Sequence, residues 1–111
     1  MKITEKEVIG INQKFDNGII INRGSLDFAL NSIRKSQDWQ EQIAYILRAL
    51  LVDHIFHDGN KRTATYLLIN ALERENFGFH EEEIVKLSIK IAKESISDIK
   101  KIKKLIAGVV Y

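Results

Sequence analysis

The sequence predicts an all-α protein, a compact bundle of about six helices interrupted by one short β-hairpin or extended flap. Three observations carry that prediction. Apolar residues recur at intervals of three and four along most of the chain, the spacing that places them on one face of a helix. Proline is absent, so helices run without an internal break and end at Gly, Asn and capping residues. With 111 residues and 45% of them hydrophobic, the chain suffices for one core and one domain, read over 1–111.

The first helix opens at "TEKE". Thr4 caps it while Glu7 reaches back to the cap's own amide, forming a capping box. Val8, Ile9, Ile11 and Phe15 are its apolar positions, and "DNG" ends it. Residues 17–24, "NGIIINRG", then break the helical pattern. Asn-Gly and Arg-Gly turn the chain on either side of three β-branched isoleucines, which read as the flap. Ser25 caps the next helix, which runs to about Lys35 with Leu26, Ala29, Leu30 and Ile33 as its stripe. Asp38 and Glu41 start a longer one, with Ile43, Ile46, Leu47, Leu50 and Leu51 facing inward, and it runs into His54.

A polar bend follows, and helix resumes around 61–63 with Ala64, Leu67, Leu68, Ala71 and Leu72, until "ENFGF" stops it. "HEEEIVKLSIKIAKES" is the fifth helix, its acids in the first turn where the helix dipole favours them. "SISDIKKIKKLIAGVV" is the last, with Gly108 as its C-cap.

Composition removes several classes of function. There is no cysteine, hence no disulfide, thiolate nucleophile or Cys-ligated zinc. No apolar run is long enough to span a bilayer and the start carries no signal peptide, so a cytoplasmic protein without a membrane partner is expected. Net charge is only +2, which argues against nucleic acid as a partner of the whole molecule. Lys100, Lys101, Lys103 and Lys104 read as the wet face of the last helix, opposite Ile99, Ile102, Leu105 and Ile106.

The bend, "HIFHDGNKRTA", concentrates the chemistry. His54 is the side chain best suited to accept a proton near neutral pH. Phe56, apolar in a polar loop, anchors the loop in the core. Asp58 is a hard oxygen ligand of the kind Mg²⁺ prefers. Gly59 and Asn60 allow a turn into a helix start, where the amides of Gly59, Asn60, Lys61 and Arg62 converge on an anion. Lys61 and Arg62 add formal charge to that nest, and Arg62 can grip phosphate oxygens in a fork. A base, a magnesium ligand and a phosphate cradle within a dozen residues equip the bend for phosphoryl or nucleotidyl transfer. A zinc site from His54, His57 and Asp58 lacks a further strong ligand nearby, and His80 is remote.

These residues resemble the signature of the Fic/Doc family, H-x-F-x-[D/E]-[G/A]-N-[G/K]-R. His54, Phe56, Asp58, Gly59, Asn60, Lys61 and Arg62 fill its fixed positions. The flanking helices and the upstream extended segment also follow family order. The resemblance implies the Fic fold, with His54 as the base that deprotonates a target hydroxyl and Asp58 holding Mg²⁺ on the phosphates of ATP. It also implies that Gly59, Asn60, Lys61 and Arg62 cradle those phosphates. The flap, Ile19, Ile20, Ile21 and Asn22, would dock the target protein's backbone as an added strand.

Departures from the pattern set the subtype. AMP-transferring members usually have Gly where this chain has Lys61 and a second Arg where it has Thr65. Lys61, Thr65 and Ile55 lean towards Doc, the toxin branch, whose members transfer the γ-phosphate of ATP; Gly59 instead of Ala leans slightly back. The reading is therefore a Doc-like toxin that phosphorylates a Thr or Ser of a cytosolic protein, with translation elongation factor Tu or its equivalent as first candidate. The alternative is a Fic-type transferase attaching AMP or UMP. The inhibitory pattern [S/T]-x-x-x-E-[G/N] has no copy here, since "SIKIAKES" is spaced wrongly, so a separate antitoxin protein is expected.

Overall fold

A computed structural model describes residues 3–111. Six helices make up most of it: α1 (Glu5–Asn12), α2 (Arg23–Lys35), α3 (Trp39–Leu51), α4 (Asn60–Arg74), α5 (Glu81–Glu94) and α6 (Ile99–Ala107). The all-α bundle expected from the periodicity is the fold observed. Eight of the thirteen residues of α3 are buried, Gln42 and Ala44 among them, so its apolar surface exceeds a single stripe. Such a helix needs neighbours on several sides. It has them in α2, α4, α5 and α6, while α1 packs against α4.

Local signals explain most helix starts. Thr4 Oγ1 accepts from the Glu7 amide at 3.2 Å, and Asp38 and Asp98 accept from amides of the first turns of α3 and α6. The capping box at α1 is only half formed. The Glu7 carboxylate meets Arg74 at 3.2 Å instead of the Thr4 amide, because that pairing ties α1 to the end of α4.

Two boundaries differ from expectation. The N-cap of α2 is Asn22, whose side chain accepts from the Ser25 amide, and not Ser25 itself. Tertiary bonds decide this, since the amides of Ile21 and Asn22 both donate to the Ile55 carbonyl and fix the chain there. Helix α3 stops at Leu51, short of His54. The Asp53 amide skips back to the Arg48 carbonyl (3.2 Å), and His54 takes a left-handed conformation at φ +54°. Gly108 is the C-cap of α6, as expected, and takes a right-handed conformation at φ −75°.

The flap is an extended segment and not a hairpin. A single antiparallel bridge joins Ile20 to Phe56 in the bend. A second bridge, Phe79 to Val110, ties the end of the chain to the α4–α5 connection.

Candidate active site at the α3–α4 bend

The bend is held from below by two apolar side chains and from within by an amide. Ile55 and Phe56 are fully buried in the core. Asn60, in the first turn of α4, turns its side chain back on the loop. Its Nδ2 donates to the Phe56 carbonyl (3.0 Å) and its Oδ1 accepts from the Phe56 amide (3.1 Å). The Asn60 side chain therefore braces the loop, and its contribution to an anion site is its main-chain N–H. Between these anchors His54, His57 and Asp58 are exposed. They line a cleft of ≈460 Å³ with Phe15, Gly59, Asn60, Lys61 and Arg62, so seven of its eight lining residues come from the bend and the start of α4.

Gly59 makes the turn into α4. Its φ of +76° is left-handed, and a Cβ there would lie 3.1 Å from Asn12 Nδ2, so both conformation and space favour glycine. The Asp58 carboxylate accepts from the Gly59 amide at 2.7 Å through Oδ1, which leaves its other oxygen open to a ligand. Helix α4 has no side-chain cap. Its first internal bond is from the Thr63 amide to the Gly59 carbonyl, so the amides of Asn60, Lys61 and Arg62 have no partner within the helix. Two cationic side chains at this positive end oppose the helix dipole, a conflict that a bound anion relieves.

Two residues that the sequence does not advertise hold this turn in place. Asn12, fully buried at the end of α1, donates through Nδ2 to the Asp58 carbonyl (2.9 Å) and to Thr63 Oγ1 (3.2 Å). Its Oδ1 accepts from the Gly18 amide at 2.8 Å, just before the flap. Thr63 in turn donates to the Gly59 carbonyl at 2.8 Å. The available signal was position: Asn12 sits four residues after Val8 and beside Ile11, on the face of α1 that is buried.

The flap lies along one side of the bend. The Ile21 amide donates to the Ile55 carbonyl (2.9 Å) and the His57 amide to the Ile19 carbonyl (3.0 Å). In this antiparallel arrangement the N–H and C=O of Ile20 point away from the bend. They have no partner among the described residues and form a short free edge. Ile20 packs on the core, whereas Ile19 and Ile21 are 52% and 61% exposed.

A second depression, of ≈360 Å³, adjoins the cleft between α4 and α5. Phe15, Lys61 and Arg62 line both. Beyond them its walls are Thr65, Tyr66, Ile69, Val85, Ser88 and Ile89. Thr65 Oγ1 lies 2.9 Å from both the Lys61 carbonyl and Ser88 Oγ. His80 lies elsewhere, stacked on Tyr111 at the start of α5.

Among the described residues no three His, Cys, Asp or Glu side chains gather as a metal cage. The exposed Asp58 carboxylate fits instead a cation held mainly by phosphate oxygens and water, the habit of Mg²⁺. Also among the described residues, no helix is long and apolar enough to cross a membrane. No curated protein matches the chain. The model of the Fic/DOC family matches residues 3–72, a span that takes in α1, the flap, the bend and nearly all of α4.

Proposed function

Because this chain belongs to the Fic/DOC family, whose members are generally transferases acting on proteins, we propose that it is a Doc-like protein phosphotransferase. It transfers the γ-phosphoryl group of ATP to a Thr or Ser hydroxyl of a cytosolic protein. The observation that carries this reading is the cleft itself, where an exposed histidine faces an uncapped helix start bearing Lys61 and Arg62.

In the proposed reaction His54 accepts the proton of the target hydroxyl. The hydroxyl oxygen forms a bond to the γ-phosphorus as the bond from that phosphorus to the β,γ-bridging oxygen breaks, and ADP leaves with the electron pair. The amides of Asn60, Lys61 and Arg62, with the two cationic side chains, spread the charge on the phosphates. Asp58 would hold Mg²⁺, which when bound neutralises phosphate charge. The free edge at Ile20 takes the target's backbone as an added strand, with Ile19 and Ile21 offering apolar contact.

Thr65 supports phosphoryl over nucleotidyl transfer. Its hydroxyl is engaged with Lys61 and Ser88, and no second guanidinium comes from that turn. The first target to try is translation elongation factor Tu or its equivalent, and a separate antitoxin protein would restrain the activity. Incubation of the chain with Mg²⁺ and cell lysate, once with γ-labelled and once with α-labelled ATP, tests the reading. A labelled protein seen with the γ label alone, and lost in His54→Ala, is expected. A His54-dependent band with the α label would replace it with AMP transfer.

A further inference from the structure

Resting on the nucleoside triphosphate reading above, the depression between α4 and α5 bears on which nucleotides the chain accepts. It continues the phosphate cleft, because Phe15, Lys61 and Arg62 line both. From Lys61 to Ile69 is eight residues of α4, about 12 Å along the axis, a span suited to a nucleotide with phosphates at one end and base at the other. With the phosphates at the start of α4, the base falls between Tyr66, Ile69, Val85 and Ile89.

That stretch is walled almost wholly by carbon. Val85 and Ile89 are 44% and 48% exposed, so their apolar surface is available to a ligand. The polar groups that line it are the hydroxyls of Thr65, Ser88 and Tyr66. Those of Thr65 and Ser88 are committed, and that of Tyr66 both donates and accepts, so it meets either kind of base edge alike. A hydroxyl has one proton. With that of Thr65 donated to the Lys61 carbonyl, the 2.9 Å contact with Ser88 is a bond in which Ser88 is the donor. Ser88 is itself only 2% exposed. The backbone of α4 and α5 at these positions is helix interior, with its amides and carbonyls paired. No group on that stretch presents a fixed donor or a fixed acceptor to the hydrogen-bonding edge of a base.

We infer that the site takes purine and pyrimidine nucleoside triphosphates alike, holding the base by apolar contact without selecting its identity. A site built to hydrogen-bond its ligand rejects an analogue by about 10⁴-fold or more, whereas apolar contact discriminates by about 10- to 200-fold. Every base presents the same kind of flat apolar face.

The test is titration calorimetry of the full chain with Mg²⁺ and, in turn, ATP, GTP, CTP, UTP and inorganic tripolyphosphate. The wild type is compared with the uncharged double variant Val85→Gln/Ile89→Gln, whose exposed positions tolerate polar side chains. Expected are four Kd values within about tenfold of one another, purines the tighter, with tripolyphosphate weaker than all. The variant should weaken the four nucleotides alike, by about three- to tenfold, and leave tripolyphosphate unchanged. A preference of about 10³-fold or more for one base overturns the inference and leaves the proposed function standing. Tripolyphosphate binding as tightly as the nucleotides, or a variant without effect on them, overturns it by showing that the base makes no contact here. Failure of every ligand, tripolyphosphate included, removes both the inference and the nucleotide reading beneath it.

Discussion

Asn12 bonds to three other segments of the chain, so its removal unpairs polar groups in more than one of them. In Asn12→Ala the Gly18 amide and the Asp58 carbonyl lose their partners. Both bonds are only part-buried, so the expected loss lies at the lower end of the ~1–3 kcal/mol that an unpaired buried polar group costs, about 1–2 kcal/mol by urea denaturation. His54 poses the opposite case. Its left-handed backbone costs a residue with a Cβ about 1–2 kcal/mol, partly offset by the greater chain entropy of glycine. His54→Gly should therefore be about 1 kcal/mol more stable than His54→Ala by urea midpoint, while both lose about 10²–10⁴-fold in transfer rate. These two residues also mark what could be read from the sequence. His54, Asp58 and the Gly59–Arg62 turn are contiguous and carry distinctive chemistry, so their pattern is visible in the chain. Asn12 acts on partners 46 and 51 residues away, and a lone Asn at a helix end discloses nothing of them.

At the level of elements, α3 and α6 are joined by Asp38 and Lys103, 2.6 Å apart. The bond from Lys103, aided by the Gln40 amide, holds the Asp38 carboxyl below its usual range, and the same bond raises Lys103. A lowered carboxyl pKa stabilises the fold above the unfolded value of about 3.9, and that stability is lost as pH falls through the folded value. The raised lysine stabilises below about 10.4 and loses its effect as pH rises through its own folded value. Lys103→Met should therefore lower the melting temperature slightly at neutral pH. The gap from wild type should close below about pH 4, above about pH 10.5, and in about 1 M salt. Helix identity was legible because apolar spacing runs along each segment and, for α1, α3 and α6, agrees with a Thr or Asp cap. The start of α2 and the end of α3 were not, because bonds between flap and bend, made only in the folded chain, choose among several adequate caps.

At the scale of all the described residues, the radius of gyration is 12.5 Å against about 13 Å for a typical domain of this length, and the flap's bonds to the bend, with Ile55 and Phe56 buried beneath, keep both on the body. Helices α5 and α6 fall outside the matched span 3–72, yet α5 supplies one wall of the groove beside the cleft. That groove was invisible in the sequence because periodicity marks a buried stripe without saying which neighbour leaves part of it uncovered. Val85 and Ile89 look like core residues until α4 is set beside them. The uncapped start of α4 has a consequence for any selection acting on the whole chain. Lys61→Glu should raise the melting temperature by removing a cation from the positive end of the dipole, worth about 0.3–1 kcal/mol, and should abolish the phosphate binding proposed for this site. Thermal-shift and calorimetric measurements on that one variant should move in opposite directions. A laboratory lineage propagated for heat resistance alone would then drift towards an acidic residue at position 61. It would arrive at a hardier protein without the activity proposed for it.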